Sequence, residues 1–472
     1  MVFNSLLFLA FFAIVLGVHS LPIPWRARKF NLLVASYLFY AAWNPPFVLL
    51  IWLSTIVDWW AAKWIERSDD ARRRRAFLIL SLCTNLGLLA FFKYGGFLLD
   101  NFVVLLGSLG IEYRPASFNL VLPVGISFYT FQTLSYTIDV YRGKLRTSKS
   151  FLDYALYVTF FPQLVAGPIV RASTFLPQCI GEKRGTRSQI AWGFTLLTIG
   201  LFQKVVLADA LLAPTADLIF ANAYDTSFQD AWLGTLAFSA QIFYDFAGYS
   251  TCAIGAAMCL GFVLPDNFRF PYAAIGFSDF WRRWHISLSE WLRDYLYIPL
   301  GGNRTSAVRV HVNLLITMLL GGLWHGAAWR FVAWGGLHGI YLIVERILVA
   351  RFSRFVSLES TAVRVCLALV TYGLVCLTWV FFRATDFASA WAMLRAMTIG
   401  SDANLIVGTS AVLSVGAVTL FLLATHWWLR DSSLEQKWGR LGLAGQVIVL
   451  LVMLVSLALV HGDQRAFIYF QF

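Results

Sequence analysis

Charge is what this chain has least of. Only 13% of its 472 residues are Asp, Glu, Lys or Arg, and 59% are apolar, whereas an ordinary soluble domain carries about 25% charged residues. That scarcity excludes a soluble enzyme. Acidic residues are the rarer sign, 25 against 37 basic, for a formal net charge of +12. The excess does not point to nucleic acid. The basic residues fall in short loops between apolar runs, as the positive-inside rule describes, and no interleaved basic and aromatic stripe offers a nucleic-acid groove. Cysteine is also sparse: Cys83, Cys179, Cys252, Cys259, Cys366 and Cys376, without a C-x-x-C pair. Neither a disulfide framework nor a zinc site is expected, and these side chains read as small apolar packing groups. No basic residue precedes the first apolar run, residues 2–23. It therefore lacks the n-region of a signal peptide and reads as a retained span.

What is abundant is apolar sequence, about 280 residues, enough for roughly ten to twelve spans of about 20 residues each. Long unbroken runs, rather than ten-residue alternating segments, exclude a membrane β-barrel. The expectation is an all-α polytopic membrane protein forming one integral-membrane domain over residues 1–472, with no soluble domain, internal repeat or low-complexity linker.

Basic clusters set the expected topology. Arg26, Arg28 and Lys29 make the first cytoplasmic loop, and Arg67 with Arg72 to Arg75 the second. Two short spans joined at Asn44-Pro45-Pro46 lie between them, which places the N-terminus outside the cytoplasm. An outward span near 76–97 and an inward one near 119–140 lead to the basic loop 142–149, and residues 102–111 are too short to span. Pro162 and Gly167-Pro168 break segment 151–170, which reads as re-entrant or interfacial. Irregular backbone at that depth is tolerated only against protein or a water-filled cavity. Limbs 190–222 and 230–263 carry Lys204, Asp209 and Asp245 in apolar surroundings. Each is either a functional site or a structural ion pair or snorkelling side chain.

Residues 277–304 are too charged to span and too aromatic for a free loop, with Arg282, Arg283, Glu290, Arg293, Asp294 and Arg304 among Trp281, Trp284, Trp291, Tyr295 and Tyr297. One or two amphipathic helices at the cytoplasmic face fit, where Arg reaches headgroups or cofactor phosphates. Apolar stretches around 312–349, 363–382, 406–429 and 443–461 follow, with Arg346, Arg351 and Arg354 marking a return to the cytoplasm.

Seven histidines differ in setting. His19, His311, His426 and His461 lie near ends of apolar runs, as interfacial side chains do. His285, His325 and His338 lie among Gly, Trp and Arg. In Gly321-Gly322-Leu323-Trp324-His325-Gly326 the glycines permit close approach of a ligand or another helix. Imidazole, with an unperturbed pKa of about 6.5, is suited to deprotonate a hydroxyl attacking an ester or thioester. A structural histidine is the competing reading. No G-x-S-x-G, H-E-x-x-H, P-loop or dinucleotide fingerprint accompanies it. His325 and His338 lack i, i+4 spacing and no carboxylate lies between them, so no metal site is expected.

The order and spacing of several strings resemble one family. They are Pro123-Val124-Gly125-Ile126-Ser127-Phe128, Asp139-Val140-Tyr141-Arg142-Gly143, Phe161-Pro162-Gln163, Ala166-Gly167-Pro168, the stretches 280–289 and 291–304, 321–326 and the closing 467–472. Over nearly its full length the chain resembles the membrane-bound O-acyltransferases, in particular the bacterial branch of alginate O-acetylation. The D-alanyl transfer proteins of teichoic acid modification are more distant.

The resemblance implies a helical ring thinned at its centre. It implies His325 as the catalytic histidine and His285 as the second polar position of the site, Asn or His in different branches. Arg282, Arg283 and Arg293 are candidates for donor phosphates, or interfacial anchors. The implied activity is transfer of acetyl from a cytoplasmic thioester, acetyl-CoA as substrate rather than resident cofactor, to an extracytoplasmic acceptor, for an exopolysaccharide such as alginate or cellulose. Implied partners are a periplasmic acetyltransferase, a polysaccharide synthase complex and membrane lipid, with the protein in a bacterial inner membrane and its N-terminus periplasmic. The alternatives are acyl or D-alanyl transfer from a carrier-protein thioester, and a non-catalytic transporter or scaffold. One departure stands out: Asp245-Phe246-Ala247-Gly248-Tyr249-Ser250-Thr251 carries Thr251 where the alginate branch has Asp, which bears on the partner or polymer.

Overall fold

The computed structural model describes residues 1–116, 120–352, 360–400, 403–460, 465, 467 and 468. Arg354, His461 and the closing residues 469–472 lie outside them. Regular structure among the described residues is helical, with short 3-10 and π segments. The chain divides into two compact units, Met1–Phe194 with Ala253–Pro265, and Thr195–Cys252 with Asp266–Phe472.

In the first unit, α1 (Leu6–Ser20) is capped by the Ser5 side chain, which accepts from the Phe8 N–H. Its 15 residues reach only about 22 Å, short of the hydrocarbon thickness. α2 (Trp25–Ala41) and α3 (Val48–Arg67) flank the expected turn at Asn44-Pro45-Pro46. Arg28 and Lys29, expected in a loop, lie instead near the start of α2 and are buried. Arg28 bonds Glu182 at 2.7 Å and Lys29 pairs with Asp153.

α4 (Ala71–Leu89) runs through a π turn into α5 (Gly95–Ser108), making a 38-residue run. The short apolar piece at 102–111 is therefore largely the end of a longer helix. α6 (Ile126–Tyr141) packs on α3 and α4. Segment 151–170 is broken where its prolines and glycine stand, into α7 (Phe151–Thr159), α8 (Phe161–Leu164) and an extended turn before α9 (Ala172–Ile180). From Tyr154 to Val170 it is buried in protein, one of the settings that tolerates irregular backbone.

α3, α4 and α6 meet at Asp58, which is fully buried. Its carboxyl accepts from the Ser81 hydroxyl, from Thr137 Oγ1 at 3.0 Å and from Asn85 Nδ2 at 2.7 Å. Asn85 Oδ1 in turn accepts from Ser54 at 2.5 Å and Thr133 at 3.1 Å. Each helix lends polar atoms that satisfy those of another, as burial in an apolar medium requires.

α10 (Arg187–Leu201) continues through a π segment, Phe202–Leu212, into α11 (Ala213–Ala221), and α12 is Phe228–Cys259. In the second unit the charged segment after Pro271 forms two short helices, α13 (Phe277–Trp281) and α14 (Ile286–Leu292), in keeping with a pair. α15 (Ala307–His325), α16 (Trp329–Phe352), α17 (Thr361–Arg383), α18 (Phe387–Ile399), α19 (Thr409–Leu429), α20 (Leu434–Arg440) and α21 (Leu443–Leu459) complete the chain. α18, absent from the sequence reading, opens on a reciprocal cap between Asp386 and Ser389.

Seven helical runs among the described residues are long and apolar enough to cross a membrane, or eight if the pair α20 and α21, bent by 120°, is one span. Composition allowed roughly ten to twelve. The remainder of the apolar sequence sits in helices that are short, such as α1, or broken, such as α7 to α9, and α12 carries Asp230, Gln241 and Asp245 among its apolar residues. The protein is an all-α, multi-pass membrane protein.

Candidate active site

α15 and α16 cross with their backbones touching. A Cβ on Gly322 would come within 2.2 Å of the Phe331 carbonyl oxygen, and one on Gly335 within 2.2 Å of that of Met318. The glycines beside His325 thus serve helix packing. That crossing fixes the end of α15, whose last residue is His325. Gly326 follows because a Cβ there would lie 2.1 Å from the Phe331 ring.

His325 is buried and boxed by aromatic rings. Its ring centroid lies 5.0 Å from Trp324, 5.0 Å from Trp334 and 5.4 Å from Phe382, all approaching edge to face. His285, 40 positions earlier, comes to 6.4 Å centroid to centroid. It is fully buried, with Phe246 at 4.7 Å and Trp324 at 5.8 Å. The structure therefore brings together the two histidines that the resemblance singles out.

The backbone at His285 is left-handed, φ 43° and ψ 55°, immediately before α14. Such a conformation costs a non-glycine residue of order 1–3 kcal/mol and persists only where surroundings enforce it. Here they do: the Ile286 N–H donates to the Asn267 carbonyl at 2.9 Å and the Arg269 N–H to that of Arg283 at 2.9 Å. His and Asn are among the few side chains enriched in this region. Asn267 also reaches the imidazole, its Oδ1 lying 3.1 Å from His285 Nδ1. Burial pushes the His285 imidazole down to about 3 from its ordinary value of 6.5, so it is held neutral.

His338 is a neighbour with a different role. Thr378 Oγ1 donates to the Val375 carbonyl at 2.7 Å, so it accepts from His338 Nε2–H at 3.0 Å. Trp334 stands between His338, at 4.8 Å, and His325. His19 and His426, expected as interfacial tips, are buried and serve backbone groups. His19 Nε2 bonds the Leu260 carbonyl at 3.1 Å and His426 Nδ1 accepts the Tyr272 N–H at 3.2 Å.

The three arginines part company. Arg283 is drawn inward, bonding Asp279 at 2.9 Å and the Arg430 carbonyl at 3.0 Å, while Arg430 holds the other Asp279 oxygen at 2.9 Å. Burial alone would raise the Asp279 carboxyl, but the Ile275 N–H and these two guanidinium groups hold it below the usual carboxylate range. Arg282 is exposed, 4.0 Å from Asp279, and Arg293 is exposed beside Asp294 at 2.7 Å. Of the three, Arg282 and Arg293 are exposed, and Arg293 is held by both oxygens of Asp294, at 2.7 and 3.2 Å.

Lys204, Asp209 and Asp245 form one buried cluster, with the ammonium 2.9 Å from Asp209 and 2.7 Å from Asp245. Asp245 Oδ2 also accepts the Ile468 N–H at 2.7 Å, and Phe467 packs on Phe246 and Tyr249. The cluster thus ties Phe467 and Ile468 to α12. Thr251, at the departure from the alginate pattern, bonds the Ala247 carbonyl of its own helix at 2.7 Å. Among the described residues, no group of three or more His, Cys, Asp or Glu side chains is arranged to hold a metal.

Sequence reading missed Asn267, Phe246 and Trp334 as site residues. Phe246 stands in the string 245–251 compared with the alginate branch, and Asn267 carries a fainter signal, an amide between Pro265 and Pro271 in an aromatic stretch without helical periodicity.

Comparison with known proteins agrees with this architecture. The model of the membrane-bound O-acyltransferase family matches residues 142–382. A probable alginate O-acetylase of Azotobacter vinelandii is 41% identical over 429 residues, 90% of this chain and 83% of that protein. One of Pseudomonas putida is 37% identical over the full length of both chains. A peptidoglycan O-acetyltransferase of Helicobacter pylori is 40% identical over 395 residues, 78% of this chain and 73% of that protein.

Proposed function

Since the chain belongs to the membrane-bound O-acyltransferase family, we propose that it takes acetyl from acetyl-CoA on the cytoplasmic side and passes it through the membrane to a hydroxyl outside. The observation that carries this reading is the pairing of His285 and His325 at 6.4 Å, in an aromatic enclosure built by α12, α15, α16 and α17.

His325 acts as general base, taking the proton of the acceptor hydroxyl as its oxygen bonds to the acetyl carbonyl carbon. The tetrahedral intermediate then collapses, the C–S bond breaks and the departing thiolate takes up a proton. The aromatic walls keep competing water from the thioester. Arg282 and Arg293 are the donor-phosphate candidates that remain exposed. The polymer served is an exopolysaccharide, alginate by analogy with the relatives so named, and cellulose is a further candidate. The immediate acceptor is a periplasmic acetyltransferase acting with a polysaccharide synthase, and the N-terminus faces the periplasm from the inner membrane.

The test is transfer of labelled acetyl by the purified membrane protein and its acceptor, from acetyl-CoA and from an acyl-carrier protein in parallel. Transfer from acetyl-CoA that disappears in His325→Ala is the expected result. Transfer only from the carrier protein would overturn the donor, and an undiminished rate in a well-folded His325→Ala would overturn the base.

A further inference from the structure

Asn267 makes more contacts than a loop residue needs. Its Oδ1 faces three donors, Ser287 Oγ at 2.9 Å, the Ser287 N–H at 3.4 Å and His285 Nδ1 at 3.1 Å. Its Nδ2 donates to Ser250 Oγ at 3.1 Å. A backbone N–H can only donate, so the atom facing Ser287 is the amide oxygen. An amide oxygen can only accept, so His285 Nδ1 carries the hydrogen in that bond. In a neutral imidazole the lone pair then lies on Nε2. All of these atoms are buried, and Asn267 is locked by the backbone pairing at Ile286 and Arg269.

We propose that Asn267 is a positioning residue that fixes His285 in the Nδ1–H form, so that His285 serves the reaction as a hydrogen-bond acceptor at Nε2. This rests on the functional reading above and chooses between two roles open to His285 in it, orienting the acceptor or stabilising charge on the tetrahedral intermediate. A neutral imidazole held in this way receives an O–H or N–H of the substrate and orients it for His325. It has no Nε2–H to offer a developing oxyanion, and acquiring one requires a proton that burial opposes. Stabilisation of the tetrahedral intermediate therefore falls to other groups. The left-handed backbone at His285 has the same sense, since strain accepted at one residue to aim its side chain is common at working sites.

The direct test is nitrogen NMR of histidine-labelled protein in lipid, with the His285 signals identified by their loss in His285→Asn. The expected wild-type form at neutral pH has Nδ1 protonated and Nε2 bare. An Nε2–H form would overturn the proposal and leave the assignment of His325 untouched. Kinetics gives a second readout. Asn267→Asp still accepts from Nδ1–H, so its kcat is expected within about threefold of wild type, with the acid limb of the pH profile moved to higher pH because a carboxylate favours the imidazolium. Asn267→Ala is expected to lower kcat at least about tenfold with donor KM unchanged, in the range of lost orienting partners. Equal losses in both variants would overturn the proposal. Undiminished transfer in a folded His285→Ala would instead overturn the functional reading beneath it.

Discussion

Asp58 in the first unit and His285 in the second are both fully buried polar side chains in a chain short of charge, and the protein surrounds them differently. Around Asp58 the neighbours are hydroxyls and an amide from α4 and α6, each satisfying another. The cluster holds three helices in register. Around His285 and His325 the neighbours are mostly aromatic rings, with one amide fixing one nitrogen. Mutual hydrogen bonding makes a fastener, whereas an imidazole among rings suits the proton transfer proposed for His325. Burial alone distinguishes neither.

Mutation can break that contrast. The largest expected effect is at His325, where Ala should lower acetyl transfer by about 10²- to 10⁴-fold, the usual share of a general base, with the unfolding temperature in detergent little changed. At Asp58 the order should invert. Replacement by Leu strands the Ser81, Thr137 and Asn85 donors, at about 1–3 kcal/mol each where no new partner is found, so thermal unfolding should fall steeply while activity per folded molecule stays near wild type. A loss of activity in excess of the loss of folded protein would show that the two clusters do not divide the labour in this way.

Acid sharpens the comparison. Folded His285 titrates near 3 against 6.5 when free, so below pH 6.5 the unfolded chain binds a proton that the folded chain refuses. Its stability is complete above 6.5 and is lost as pH falls toward 3, by about 1.4 kcal/mol per pH unit. His285→Asn should remove one proton's worth of that slope in unfolding measured across this window. The smallest effect expected is at Asp386, whose side chain accepts the Ser389 N–H at 2.7 Å to cap α18. Ala there should cost about 1 kcal/mol with transfer unaffected, which sets the scale of an ordinary helix-end change.

Much of this was legible in the sequence. The turn at Asn44-Pro45-Pro46, the break at Pro162 and Gly167-Pro168 and short helical structure, one helix or two, after Pro271 follow from what proline and charge do to a helix in an apolar chain. The tally of spans was less legible, because apolar residues buried within protein and those facing lipid look alike in composition. Arg28 and Lys29 were misread as loop residues for a related reason. Their partners Glu182 and Asp153 stand more than a hundred positions away, and a basic cluster before an apolar run looks the same paired or free. The site shows this most plainly at His285, flagged by resemblance, while Asn267, which orients it, carried only a faint mark.

By itself the sequence determined the solvent of this protein, its helical class, its family and the two histidines worth testing, because hydropathy and short motifs are local and additive. Only the tertiary structure decided which polar groups are joined: Lys204 with Asp209 and Asp245, His338 with Thr378, Asp58 with Ser81, Asn85 and Thr137, and Asn267 with His285. Hydrogen bonds have a reach of about 3 Å and a direction. Which donor meets which acceptor is therefore settled by helix crossings such as that of Gly322 and Gly335, and no one-dimensional pattern encodes that geometry.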